Sequence, residues 1–188
     1  MPNNAGNEIL VTPLNRTLEA MRLDAVRESA AQLHERFSWC GLPYDDTLNR
    51  QYIDRAESMC LSKEGLFLSV LHRCRGIYLG EVGIDHIDEE LGRINIFYWI
   101  RRSQQNLGYA TAATRLLLQI ACQRMPVRLA EISMETGNLI SKRVAEKVGA
   151  RFSHSVHYER GLTGRPIDAF SFHYHFDQQN REAENCIE

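Results

Sequence analysis

The sequence predicts a mixed α/β fold, in which strands and helices are interspersed along the chain rather than gathered into separate halves. Some segments repeat apolar residues at helical spacing, whereas others alternate apolar and polar residues as half-buried strands do. No repeat, linker or low-complexity tract interrupts this pattern. We therefore predict a single domain over residues 1–188, with a core of 9–176 and a polar tail of 177–188.

The strands are predicted from alternation and from the turn residues that bound them. Pro13 ends the first strand, and Arg75-Gly76 provides a turn between two alternating segments, which is the pattern of a β-hairpin. A last hairpin is expected around Gly161 and Gly164. The seven predicted strands comprise residues 9–14, 66–73, 77–87, 94–100, 129–135, 152–159 and 167–176.

The helices are predicted from apolar spacing and from residues that stop or cap a helix. Pro126 follows one predicted helix, and Gly149 is placed as the C-cap of another, which begins at Gly137-Asn138. The four predicted helices comprise residues 18–37, 47–59, 107–123 and 138–149.

Composition excludes several classes of function. A formal net charge of -2 and a pI near 6.4 provide no basic excess for binding a phosphate backbone, so no nucleic-acid partner is expected. The five cysteines are widely spread and form no Cys-x-x-Cys pair, which predicts reduced thiols in the cytoplasm and no zinc. We expect neither export nor a membrane span, because the chain shows neither a leader pattern nor a long apolar run.

Histidines provide the one pattern that suggests a metal. His173 and His175 lie on one face of a predicted strand, but no further ligands converge on them in the sequence. His154 and His157 are expected on opposite faces of a strand, which disfavours a metal site formed by this pair. We therefore expect no metal.

A short glycine-bearing loop is the strongest candidate for a ligand site. The hexapeptide Gln105 to Ala110 separates a predicted strand from a long helix. The backbone N–H groups at the start of a helix have no partner within it and lie at its positive end. Such a loop binds phosphate without needing lysines.

Three motifs along the chain carry a resemblance to a known family. From about Leu10 to Phe176 the sequence resembles the GNAT acyl-CoA-dependent N-acetyltransferases, closest to the RimJ/RimL-like branch, which acetylates protein N-terminal amines, notably of ribosomal proteins. The motifs are Tyr98-Trp99-Ile100, then Gln105-x-x-Gly108-x-Ala110, then Asn138-x-x-Ser141-x-x-Val144-Ala145-Glu146-Lys147-Val148-Gly149-Ala150.

The resemblance implies a GNAT fold and a site for acetyl-CoA. The implied fold is a mostly antiparallel, twisted sheet of about seven strands, flanked by helices and splayed where acetyl-CoA enters. The cofactor arm would lie beside Trp99, Ile100 and Arg101, and Asn138 would hydrogen-bond it. Asn138 is equally suited to capping the helix that it begins. The pyrophosphate would rest on the amides of Gln105, Asn106, Leu107, Gly108, Tyr109 and Ala110.

Two side chains are candidates for the chemistry. An amine is mostly protonated at neutral pH, so a carboxylate, or a water that it orders, is useful as a general base. We favour Glu81 as this base, although it could be a polar residue on the wet face of a strand. Ser141 matches the residue thought to assist the leaving thiolate in RimL-like enzymes, although a serine in a first helical turn also serves capping.

The sequence departs from the family pattern at Phe97, where relatives often have glycine, and at two further sites that bear on this interpretation. Phe97 could narrow the acceptor cleft or fill the core. Asn106 stands where relatives often have glycine, and asparagine tolerates a left-handed backbone better than most residues. Asn95 stands where relatives often carry glutamate, so that position provides no base.

The resemblance therefore predicts an enzyme that moves acetyl from acetyl-CoA to a primary amine by direct attack in a ternary complex. A protein N-terminal α-amine is the favoured acceptor. A small-molecule amine or aminoglycoside remains an alternative, as does a non-catalytic acyl-CoA-binding regulatory protein. Related enzymes are often dimers, which leaves a homodimer open.

Overall fold

The computed structural model of the chain describes residues 5–159 and 166–176. Its helices are α1 (Ala5–Glu8), α2 (Glu19–Arg36), α3 (Asp46–Leu61), α4 (Tyr109–Arg124) and α5 (Leu139–Val148). Its strands are β1 (Ile9–Pro13), β2 (Leu66–His72), β3 (Tyr78–Asp88), β4 (Arg93–Ile100), β5 (Leu129–Glu135), β6 (Arg151–Glu159) and β7 (Pro166–His175).

The strands form one seven-stranded sheet in the order β1-β2-β3-β4-β5-β7-β6. β1 pairs with β2, β5 with β7, and β6 with β7, all antiparallel, whereas β4 and β5 are parallel and are joined through α4. The described β4–β5 register covers only Arg93–Asn95 against Leu129–Glu131, so it ends midway along β4. The predicted mixed, mostly antiparallel sheet of seven strands flanked by helices is confirmed.

Contacts within the chain are densest inside two compact units. The first runs to Gly83 and includes Tyr98–Ala113, and the second comprises Ile84–Phe97 and the chain from Thr114 onward. The prediction of one domain stays a prediction. Apolar side chains are buried in each unit, including Val26, Tyr78 and Trp99 in the first, and Ile94, Leu117, Ile132 and Phe172 in the second.

Local sequence explains where the helices begin and end. The Asp45 side chain accepts a hydrogen bond from the Leu48 N–H and so caps α3. Gly149 ends α5 with φ 95°, the left-handed conformation expected of a glycine C-cap. The four predicted helices are present with ends shifted by a few residues, whereas the four-residue helix α1 was not predicted.

Turns agree with the sequence where the structure describes them. Gly76 adopts φ 63° between β2 and β3, as the predicted hairpin turn requires. The predicted turn around Gly161 and Gly164 and the tail of 177–188 lie outside the described residues. No helix in the described part of the chain is both long enough and apolar enough to cross a membrane.

Candidate active site

Glu81 is the centre of a buried polar network in the first unit. Its side chain on β3 has no exposed surface, and its Oε1 lies 2.5 Å from the Arg22 Nε. The Tyr78 hydroxyl donates to the same oxygen at 2.9 Å, and the Tyr52 hydroxyl donates to Oε2 at 3.0 Å. Both carboxylate oxygens are therefore engaged by donors, as a buried charge requires.

Arg22 on α2 is the positive partner in this network and is also fully buried. Its Nη1 donates to the Tyr44 hydroxyl and to the Asn49 Oδ1, each at 2.6 Å. Its guanidinium carbon lies 3.9 Å from the centre of the Tyr52 ring and 5.1 Å from that of Trp39. The Nε and Nη1 of the cation thus have hydrogen-bond acceptors and its plane lies near aromatic rings, whereas its buried Nη2 has no hydrogen-bond partner in the described part of the chain.

Burial and charge together fix the protonation of this network. Burial lowers the pKa of Arg22, but the Glu81 carboxylate, together with Tyr52, Tyr44 and Tyr78, more than offsets this, so the guanidinium remains charged. Burial, reinforced by the Glu81 charge, raises the pKa of Tyr52 and of Tyr78 well above the ordinary tyrosine value. Both hydroxyls therefore keep their protons and act as donors to the carboxylate.

Arg22 was not singled out from the sequence, although a signal for it exists. It lies on the same helical face as Val26, Ser29 and Leu33, all of which are buried. An arginine within a buried helical stripe indicates a buried acidic partner, because an isolated buried charge is too unfavourable. The sequence does not say that this partner is Glu81.

Gly80, next to Glu81, lets β3 and β4 approach closely. Its φ is 153°, and a Cβ atom at this position would lie 2.0 Å from the Trp99 carbonyl oxygen and 2.9 Å from the Ile100 Cα. The Arg101 N–H donates to the Leu79 carbonyl at 2.7 Å across the same place. Only glycine fits here, beside the strand residues predicted to lie along the acetyl-CoA arm.

Trp99 and Ile100, two of the predicted cofactor-binding residues, are buried at the end of β4. The Trp99 ring centre lies 6.3 Å from that of Tyr78 and 6.4 Å from that of Trp39. The Ile100 carbonyl accepts a hydrogen bond from the Gln105 Nε2 at 2.9 Å. Their side chains therefore belong to the core, which leaves the backbone as their means of contacting a ligand.

Arg101, the third residue predicted at this strand end, forms ion pairs with acidic residues of helix α2. Its Nε lies 2.8 Å from the Glu28 Oε2, and its Nη2 lies 2.9 Å from the Asp24 Oδ2. Burial lowers the pKa of Arg101, but the hydrogen bonds that it donates to these two carboxylates, together with their charges, more than reverse that effect. The guanidinium is thus held by the protein's own acids.

The glycine-bearing loop leads directly into a helix. Asn106 adopts φ 63° and Gly108 adopts φ 87°, and α4 begins at Tyr109. The left-handed backbone at Asn106 agrees with the tolerance of asparagine for that conformation. The first turn of α4 carries no acidic side chain, so its positive end is not neutralised there. The Gln105 N–H donates to the Arg102 carbonyl at 3.4 Å. Contact with a pyrophosphate stays a prediction for Gln105, Asn106, Leu107, Gly108, Tyr109 and Ala110.

Two of these loop residues have clear side-chain placements. Leu107 is about half exposed, whereas Tyr109 is buried and its hydroxyl donates to the Glu8 Oε2 at 3.1 Å. The tyrosine side chain is therefore anchored within the first unit, and its backbone N–H remains in the first turn of α4.

Asn138 and Ser141 lie together at the start of α5 in the second unit. The Asn138 Oδ1 accepts a hydrogen bond from the Ser141 N–H at 3.2 Å, which is the capping role open to it from the sequence. Ser141 is half-buried. The cofactor role of Asn138 and the acid role of Ser141 stay predictions.

A second polar site within the second unit was not predicted from the sequence. A cavity of about 360 Å³ is lined by Asp85, His86, Arg93, Ile94, Asn95 and Glu131. The Asn95 Nδ2 donates to the Asp85 Oδ1 at 2.6 Å, and the Glu131 Oε1 accepts from the Ser171 hydroxyl at 2.8 Å. Among residues 5–159 and 166–176, no group of three or more His, Cys, Asp or Glu residues is arranged to hold a metal.

Solved structures share this fold over nearly the whole chain. A ribosomal L7/L12 α-N-protein acetyltransferase, RimL, in complex with coenzyme A matches with a TM-score of 0.83 and 15% identity, covering 90% of this chain and 95% of that one. A microcin C7 self-immunity acetyltransferase, MccE, in complex with acetyl-CoA and AMP matches with a TM-score of 0.83 and 16% identity, covering 94% and 98%.

A third similar structure is an acetyltransferase from Salmonella typhimurium that modifies the N-terminal serine of ribosomal protein L7/L12. It has a TM-score of 0.82 and 14% identity, and covers 92% of this chain and 98% of that one. No curated protein sequence matches the chain. At these identities the structural likeness shows the fold alone.

The sequence model of the acetyltransferase (GNAT) domain matches residues 10–151, which is most of the chain. The match includes the Glu81 network, the loop of 105–110 and the start of α5. The chain therefore belongs to the GNAT family of acetyltransferases and is an acyltransferase that uses acetyl-CoA.

Proposed function

We propose that the enzyme transfers the acetyl group of acetyl-CoA to the α-amine of a protein N-terminus. The donor half of the proposal is supported by the loop at the start of α4, whose left-handed backbone at Asn106 and Gly108 leads into the first turn of the helix, where phosphates commonly bind. The acceptor half is supported by likeness to RimL structures, whose substrate is the N-terminus of a ribosomal protein.

Binding of the donor is assigned mainly to main-chain groups. We assign the pyrophosphate to the amides of 105–110, and the cofactor arm to the backbone of Trp99, Ile100 and Arg101. We assign a hydrogen bond with this arm to Asn138, in addition to its observed capping bond. Once bound, acetyl-CoA supplies an acyl group already activated as a thioester.

Glu81 is proposed as the final proton acceptor in the reaction. Because its side chain has no exposed surface, contact with the attacking amine is assigned to the half-buried Tyr52, whose hydroxyl donates to Glu81. The amine forms a bond to the acyl carbon and gives a proton to the Tyr52 oxygen, while the Tyr52 proton passes to Glu81. Arg22 orients the carboxylate throughout.

Ser141 is proposed to give its hydroxyl proton to the sulfur as the carbon–sulfur bond breaks and to take a proton back from solvent, while Glu81 returns the proton of the amine to solvent after the product leaves. Replacing Ser141 by alanine is expected to lower kcat by roughly a hundredfold, while the KM for acetyl-CoA changes less than about twofold, because the proton transfer occurs only in the transition state. Steady-state kinetics on Ser141→Ala and on Ser153→Ala, an exposed serine of β6, would measure this. Wild-type turnover in the Ser141 variant would end the assignment.

A small-molecule amine is the second candidate acceptor. One observation favours it: MccE, a self-immunity acetyltransferase crystallised with acetyl-CoA and AMP, shares the fold at a TM-score of 0.83. A binding protein without transferase activity is the third.

A thiol-release assay with acetyl-CoA separates these candidates. The panel comprises peptides with free N-termini, the same peptides with blocked N-termini, polyamines and aminoglycosides. We expect thiol release only with the peptides that have free N-termini. Release with the small amines alone would favour the second candidate, and acetyl-CoA binding without transfer to any acceptor would favour the third.

A cytoplasmic location and a homodimer are kept as further parts of the proposal. The described cysteines, Cys40, Cys60, Cys74 and Cys122, are free thiols, which supports a reducing compartment. Gel filtration with light scattering would measure the oligomeric state.

A further inference from the structure

One turn of helix α2 holds the backbone that follows β4. The Ser29 hydroxyl oxygen accepts a hydrogen bond from the Arg102 N–H at 3.0 Å, and the Glu28 Oε1 accepts one from the Ser103 N–H at 2.7 Å. The Arg101 Nε donates a hydrogen bond to the other carboxylate oxygen of Glu28, Oε2, at 2.8 Å. Three consecutive residues after the strand are therefore bound by two neighbouring side chains of α2.

Two further contacts tie the same segment to α2. The Asp24 Oδ2 lies 2.9 Å from the Arg101 Nη2, one helical turn before Glu28. One turn after Glu28, the Gln32 Oε1 accepts a hydrogen bond from the Gln105 Nε2 at 3.1 Å. The segment of 101–105 is thus fixed at both ends by side chains from a single helical face, spaced at i and i+4.

Glu28 is the central member of this group because it makes both a charged and a backbone contact. Burial raises its pKa, but hydrogen bonds from Arg101 and Ser103 outweigh burial, and the net pKa lies below the ordinary value. The carboxylate is therefore ionised at neutral pH. Charge-assisted hydrogen bonds of this kind are stronger than neutral ones.

The position of the segment gives the contacts a consequence for the cofactor. The donors at Arg102 and Ser103 are used by α2, and the chain then enters the left-handed residue Asn106 and the first turn of α4. Fixing 101–105 sets where the amides of the following loop lie before a ligand arrives. A preformed loop binds with a smaller loss of conformational freedom.

We propose that Glu28 is a positioning residue for acetyl-CoA, which acts by holding Arg101 and the Ser103 N–H and so presets the loop of 105–110. Glu28 touches no substrate in this account. The inference rests on the use of acetyl-CoA and not on the identity of the acceptor, so binding measured without an acceptor tests it separately from the proposed N-terminal substrate.

The test compares Glu28→Gln with Glu35→Gln, the same chemical change at an exposed position of α2. Calorimetry with acetyl-CoA, without acceptor, is expected to give a Kd raised about tenfold for Glu28→Gln and unchanged for the control. With an acceptor, KM for acetyl-CoA should rise while kcat stays within about twofold, because the lost contact acts on binding.

Two additional variants show whether a raised Kd results from the lost contact or from misfolding. Ser29→Ala removes only the Arg102 contact and is expected to raise the Kd by a smaller factor than Glu28→Gln. The double variant Glu28→Gln/Arg101→Gln is expected to raise the Kd by less than the product of the two single factors, because the contact between Glu28 and Arg101 is lost in both single variants. Equal Kd values for Glu28→Gln and Glu35→Gln, or a fall in kcat with unchanged Kd, would overturn the proposal.

Discussion

Replacing Arg22 by methionine is expected to lower the free energy of unfolding by about 3–5 kcal/mol. The change leaves the fully buried Glu81 carboxylate without its cation, although Tyr52 and Tyr78 still donate to it. It also removes a hydrogen-bond donor from the Tyr44 hydroxyl and from the Asn49 Oδ1. Denaturant unfolding followed by circular dichroism would measure the difference from the wild type.

A double variant separates the ion pair from simple loss of packing. Arg22→Met/Glu81→Leu removes both charges, and it is expected to be more stable than Arg22→Met alone, since an apolar replacement of a whole buried pair is often nearly neutral. A double variant as unstable as the single one would contradict this account of the network.

The same double variant tests the proposed chemistry. If it folds, it lacks the carboxylate that accepts the proton, so its kcat should fall by at least about a hundredfold. A folded double variant with the kcat of the wild type would remove Glu81 as the base and favour an ordered water.

Replacing Gly80 by alanine is expected to destabilise the fold by at least about 3 kcal/mol and to weaken acetyl-CoA binding sharply. The added Cβ would lie 2.0 Å from the Trp99 carbonyl oxygen, a backbone atom that no side-chain rotation can move away. The positive φ of 153° adds strain of its own. β4 must shift at Trp99 and Ile100, the residues assigned to the cofactor arm.

Two other glycines provide matched controls for this change. Gly76 has φ 63° with no atom near the Cβ position, so Gly76→Ala should lose only about 1–2 kcal/mol from left-handed strain. Gly137 has neither the positive φ nor a close neighbour, and its alanine variant should resemble the wild type. If the Gly80→Ala variant is as stable as the Gly76→Ala variant, the close approach of Gly80 to the Trp99 carbonyl oxygen is unimportant for stability. Thermal unfolding and acetyl-CoA calorimetry on all three variants measure these effects.

Local signals explain why the secondary structure could be predicted from the sequence. Alternation, helical spacing and the breakers Pro13 and Pro126 act within a few residues of the elements that they define. The left-handed backbone at Asn106 was likewise consistent with its residue type. The fold class could be predicted because the predicted order of strands and helices agrees with the structure and the motifs resemble those of one family.

The polar contacts of the site could not be predicted in the same way. Glu81 was selected from its place on a strand, but its partner Arg22 lies 59 residues away. Glu28 and Arg101 are separated by 73 residues. Periodicity shows that a side chain is buried and does not name its partner, because that depends on how distant elements pack.

Mass spectrometry tests the proposed α-amine acceptor most directly. The enzyme is incubated with acetyl-CoA and a ribosomal-protein peptide that carries a free N-terminus and an internal lysine, and fragmentation then locates the acetyl group. Acetyl on the α-amine, absent when the N-terminus is blocked, is the predicted result. Acetyl on the lysine, or no acetylated peptide while a small amine is acetylated, would contradict the proposed function.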